Sequence, residues 1–88
     1  MSKWRRLARG QQCVACGSWD ETVVLAHLPI RGVAEAGMGA KCCDLWAAHL
    51  CSDCHALADQ GEYRNDIHWR SRMVYRTLER LVAQGHLR

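Results

Sequence analysis

The polar and apolar pattern divides the chain into a few short elements. Glu21-Thr22-Val23-Val24-Leu25-Ala26-His27-Leu28 is β-branched and apolar, and it predicts a strand near 22–28 that Pro29 ends. Gly32, Gly37 and Gly39 mark a loop over 29–43, long for so short a chain, and loops of that length are usually functional or disordered. A short second strand is expected near 45–49. Ser52 or Asp53 is placed to cap a helix running through Ala56-Leu57-Ala58-Asp59, with Gly61 as its stop. The clearest helix comes last. Asp66 can cap it, Gly85 sits just beyond it, and Ile67, Val74, Leu78, Leu81 and Val82 recur at helical spacing with Met73 beside them. The arginines at 70, 72, 76 and 80 fall largely off that stripe, which reads as core rather than as a groove for a partner. Residues 2–9 form a basic arm, frayed or a short helix, and Cys13-Val14-Ala15-Cys16-Gly17 reads as a tight knuckle.

Length changes the picture by limiting the core. A chain of 88 residues is one domain, and its apolar core alone is marginal. Six cysteines in that length leave three competing readings, namely a disulfide scaffold, a zinc-stapled domain or a redox protein. No apolar run approaches the roughly 20 residues of a membrane span. Met1-Ser2-Lys3-Trp4-Arg5-Arg6 is basic with no apolar stretch behind it, unlike a secretory signal. The expectation is a cytoplasmic protein with reduced thiols, which favours metal over disulfides.

Charge is unevenly placed. The net +3 combines a basic start (Lys3, Arg5, Arg6, Arg9), an acidic middle and a basic end (Arg70, Arg72, Arg76, Arg80, Arg88 against Glu79). Such a layout suits a polyanion on the flanks and a cation at the centre, although charge alone is better met by solvated helix faces and a soluble tail. Ten of the twelve basic residues are arginine, the side chain suited to bidentate phosphate contact.

Cys13/Cys16 and Cys51/Cys54 are two CxxC knuckles with 34 residues between them. Two such pairs make a tetrahedral four-sulfur site for Zn²⁺, closed to chemistry and hence a staple. Cys42 and Cys43 are adjacent, and neighbours rarely share one tetrahedral ion, so they read first as small apolar side chains of the loop, with replacement of one knuckle cysteine as the open alternative. Cys51-Ser52-Asp53-Cys54-His55 also matches the c-type haem attachment pattern, but that chemistry goes with export and leaves the first CxxC unexplained. A thioredoxin-like reading needs a βαβ unit for which there is too little chain. His55 opens a helix with Asp59 at i+4 on the same face, a pair that can share one divalent cation or simply a hydrogen bond. His27 ends the predicted strand, and a lone histidine there is more often structural than catalytic.

These pieces in this order resemble the HNH endonucleases of the ββα-metal type: a knuckle, a strand ending in Ala26-His27, a loop, then Cys51-x-x-Cys54-His55 and a short helix. More narrowly, Glu21 to His27, Gly37-Met38-Gly39-Ala40-Lys41, Asp44-Leu45 and Cys51 to His55 followed by Asp59 are similar to the small YbcO-like nuclease family of phages and prophages. The resemblance covers roughly residues 5–62. It implies a small α+β zinc-stapled domain with a ββα-metal, treble-clef-like core. The parts are a basic arm over 1–10, the core over 11–62 and an added C-terminal helix over 65–85. It implies His27 as general base and His55 with Asp59 as holders of a catalytic Mg²⁺ or Mn²⁺. No asparagine stands at the family's middle position. Asp44 is the nearest equivalent and His49 a weaker one. Ala26 stands where many HNH enzymes carry a metal-binding aspartate, and Cys42-Cys43 where the narrower family often has two prolines.

The implied activity is hydrolysis of DNA in a bacterial host cell, leaving a 5′-phosphate and a 3′-hydroxyl. Arg5, Arg6, Arg9, Lys41, Arg70 and Arg76 are the expected backbone contacts. One small site cuts one strand, so cutting both strands takes two events or a homodimer. Two other readings stay open: a non-catalytic zinc module that binds nucleic acid, and an accessory protein of a phage recombination or replication complex.

Overall fold

The computed structural model describes residues 3–30 and 44–87. Lys41, Cys42, Cys43 and the loop glycines 32, 37 and 39 lie outside the described residues. The element order is α1 (Lys3–Ala8), β1 (Val24–His27), β2 (Ala47–Leu50), α2 (Ser52–Asp59) and α3 (Ile67–Ala83). The result is a small α+β fold. Both strands fall where the apolar pattern places them, within two residues.

β1 and β2 pair antiparallel, with Val24 opposite Leu50, Ala26 opposite Ala48 and His27 opposite Ala47. Alternation puts Leu25 and His27 on one face of β1 and Val24 and Ala26 on the other. Ala26, Leu28, Ala48 and Leu50 join Cys54 and Ala58 of α2 and Trp69, Met73 and Val74 of α3 in one buried cluster. Small alanines at the centre of both strands let the helices approach the hairpin closely.

α3 starts and stops where its signals say. Asp66 Oδ1 accepts from the Trp69 backbone N–H at 2.9 Å. Gly85 adopts φ +83°, and the His86 N–H donates to Leu81 O while the Gly85 N–H donates to Val82 O. That pair of bonds is a Schellman stop, and its left-handed residue explains the glycine.

α2 begins differently. Neither Ser52 nor Asp53 caps it; Cys51 is the cap residue, without a side-chain bond to the helix. The Ser52 N–H instead donates to Thr22 Oγ1 at 3.0 Å. Thr22 in turn donates to Asp20 Oδ1. A donor at the start of the helix is thus satisfied from 30 residues away.

The buried face of α3 is also rotated from the predicted stripe. Trp69, Arg70, Met73, Val74, Thr77 and Leu81 are buried, whereas Ile67 and Val82 are 56% and 52% exposed. Arg70 is the main correction. It is 6% exposed and donates from Nη1 to Ala58 O at 2.7 Å and from Nη2 to Pro29 O at 3.1 Å. Its guanidinium fork ties the end of α2 to the segment after β1, so it is withdrawn from the expected nucleic-acid contacts. Arg70→Ala should lower unfolding stability by about 1–3 kcal/mol, since two buried carbonyls lose their donor. Urea unfolding with a lower midpoint and an unchanged slope would report it.

Candidate functional site

The first knuckle is a backbone turn. Cys13 N–H donates to Ser18 O at 2.8 Å and Gly17 N–H to Cys13 O at 3.0 Å. Gly17 sits at φ +81°, which favours the residue without a Cβ. Gln12 Nε2 closes the turn by donating to Gly17 O. The second knuckle is the junction of β2 and α2. The two are joined through β2, because Val14 N–H donates to His49 O at 2.9 Å.

This brings Cys13, Cys16, Cys51 and Cys54 together, with all four Sγ atoms within 4.8 Å of one another. Cys16 Sγ and Cys51 Sγ are 3.6 Å apart. A tetrahedron with Zn–S bonds of about 2.3 Å requires sulfurs about 3.8 Å apart, so the cluster fits such an ion. The site can hold a metal such as zinc. Its thiols differ in environment. The Ser18 hydroxyl and N–H beside Cys16 hold that thiol down to about 6, whereas burial pushes Cys51 and Cys54 up. A cation is what allows the buried pair to be thiolate.

The two histidines of interest each meet a carboxylate. His27 Nε2 lies 2.6 Å from Asp44 Oδ1, joining the end of β1 to the approach to β2. His55 Nε2 lies 3.1 Å from Asp59 Oδ2 one turn on along α2. Both pairs are partly open to solvent. They stand as two pairs: among the described residues, the four cysteines are the group of three or more such side chains that gathers its ligand atoms. Ala26 is 1% exposed and packed in the cluster, so a carboxylate there would be a charge within the core.

His49 does not take the middle role. It is fully buried, with Nδ1 accepting from Arg80 Nη1 at 3.0 Å. Burial and the Arg80 charge push its pKa down to about 4, so it is a neutral strut. Arg80 also donates to Gln12 O, and Arg76 donates to Val14 O, so α3 braces the first knuckle. Helical spacing marks these arginines as surface charges and does not show the carbonyls they meet. Arg5, Arg6 and Arg9 are exposed on and just after α1, and Arg76 remains exposed despite its bond.

A family described as "Putative nuclease YbcO" matches residues 2–86. The chain belongs to this family. Two curated YbcO proteins with that description, from Escherichia coli (strain K12) and Enterobacteria phage 82, are each 38% identical over 65 residues. Those alignments cover 68% of this chain and 66% of each relative, just under two thirds of the relatives' length. No solved structure matches. No described helix of this YbcO member is long and apolar enough to cross a membrane.

Proposed function

We propose that the chain is a metal-dependent endonuclease of the HNH type that hydrolyses phosphodiester bonds in DNA. The observation that carries this reading is the 2.6 Å contact between His27 Nε2 and Asp44 Oδ1. A carboxylate accepting from Nε2–H fixes the neutral tautomer and leaves Nδ1 as the basic nitrogen. Histidine is the side chain most often used as a general base. His27 Nδ1 takes a proton from water, and the water oxygen forms the new bond to phosphorus. The bond from phosphorus to the 3′ oxygen breaks, leaving a 5′-phosphate and, once that oxygen is protonated, a 3′-hydroxyl. Asp44 supports the imidazolium that forms.

His55 and Asp59 would hold the catalytic Mg²⁺ or Mn²⁺. When bound, that ion supplies positive charge against the charge developing on the phosphate and the leaving oxygen. The cysteine cluster would hold structural zinc, which would anchor the start of α2, the helix that carries His55. Arg5, Arg6 and Arg9, with Lys41 and Arg76, attract the backbone in a salt-sensitive way. The match to a phage protein supports a phage or prophage origin, and hence action in the bacterial cytoplasm.

The second reading is a zinc module that binds nucleic acid without cutting it. Ala26 favours it, since it removes one carboxylate from the metal ligands. The deciding assay is conversion of supercoiled plasmid to nicked circles by zinc-loaded protein with added Mg²⁺ or Mn²⁺. Nicking supports the nuclease. Binding without cleavage of any DNA form supports the module.

A further inference from the structure

Of the four tryptophans, three are occupied by the fold. Trp69 is buried and stacked on Tyr63 at 4.2 Å, Trp46 donates to Leu28 O, and the half-buried Trp4 lies under the Lys3 ammonium. Trp19 is 76% exposed. It is nevertheless held, because its Nε1–H donates to Gly10 O at 2.9 Å. The indole therefore offers an open aromatic face while its one polar group is already used.

Gly10 lines a cavity of about 370 Å³ with Arg9, Glu21, Val23 and Val24. A second cavity of about 230 Å³ adjoins it at Arg9 and Val24 and continues past Arg5 and Leu25. Together they form a groove along β1 with two arginines on its α1 side. Leu25 and His27 share a face of β1, two residues or roughly 7 Å apart. The groove thus runs from Gly10, where the Trp19 indole is held, past Arg9 and Arg5 to Leu25.

We infer that this groove takes an unpaired nucleic-acid strand, with one base stacked on Trp19 and the backbone passing the arginines. In a continuous duplex the base faces are covered by their neighbours, so an isolated exposed indole selects unstacked bases. Glu21 is the acidic member of the lining and shares one cavity with Arg9, whereas the stretch at Arg5 and Leu25 is lined without an acid. The inference depends on the nuclease reading only for the role of His27, and it makes unpaired or branched substrates the preferred class.

The test is fluorescence anisotropy of zinc-loaded full chain, without Mg²⁺ or Mn²⁺, on labelled 20-nucleotide single-stranded DNA, its duplex and the same strand as RNA. Wild type should bind the single strands more tightly than the duplex. W19A should weaken single-strand binding about tenfold, change duplex binding less than twofold and leave the melting temperature unchanged, while W19F keeps most of the affinity. R9A should instead lower the slope of log affinity against log salt by about 0.7 for one lost phosphate contact, a slope that W19A leaves alone. Weakening on either single strand supports the inference, and the tighter of the two identifies the sugar. Equal weakening on single strand and duplex, or none, overturns it. Plasmid nicking with W19A binding like wild type sinks this inference and leaves the nuclease reading. Trp19-dependent single-strand binding without any cleavage does the reverse.

Discussion

Stripped of metal by a strong chelator, the chain should lose its fold, and stoichiometric Zn²⁺ should restore it. The four Sγ atoms join a turn near the N-terminus to the β2–α2 junction, and the other ties there are single hydrogen bonds such as Val14 N–H to His49 O. Structural zinc at four-ligand sites is worth an apparent 10–16 kcal/mol or about that near pH 7, as much as the whole stability of an ordinary domain. Without it, Cys51 and Cys54 are thiols buried beside Cys13 in a small core. Far-ultraviolet circular dichroism and amide NMR dispersion should collapse together on chelation. Cys51→Ser should behave like the metal-free chain, since it removes a buried ligand at the start of α2. The thiol titre gives a second reading. Cys13, Cys16, Cys51 and Cys54 should be protected from a thiol reagent in the zinc-loaded protein and react after chelation. A metal-free chain that keeps native dispersion and melts cooperatively would end the claim that the cluster is a staple.

His27→Ala should lower plasmid nicking by about 10²–10⁴-fold, the usual contribution of a positioned general base. The side chain is partly exposed, so the truncation leaves no large cavity and the melting temperature should stay close to wild type. Asp44→Asn should cost less, because an amide still meets the ring but cannot support the imidazolium as well. Partial rescue of the alanine variant by added imidazole would separate a chemical role from a positional one. Equal cleavage by well-folded His27→Ala and wild-type protein would remove His27 from the mechanism.

The residues differ in how openly they declare themselves. Asp66 and Gly85 act on backbone groups within three or four residues, so the start and stop of α3 are legible from spacing. The cysteine pairs are legible for a similar reason: two residues of separation aim both sulfurs at one point. Arg70 is different. A guanidinium on the buried face of α3 is tolerable only because Ala58 and Pro29 present carbonyls there, and those lie 12 and 41 residues away. Likewise the acceptor for the Ser52 N–H at the start of α2 comes from Thr22, and the Trp19 indole is held by Gly10 O.

Local chemistry in the chain was enough to set the two strands, the two main helices and the four-sulfur cluster, because each depends on backbone geometry over a few residues or on one ion's demand for four thiolates. It was not enough to separate an exposed arginine from a strut, an exposed tryptophan from a core one, or Asp44 from His49 as the family's middle residue. Those distinctions depend on which distant carbonyl, carboxylate or solvent-filled groove each side chain meets once the hairpin and α3 have packed. A polar side chain's role follows from its desolvation and its partners, and both are properties of the folded chain rather than of residue order.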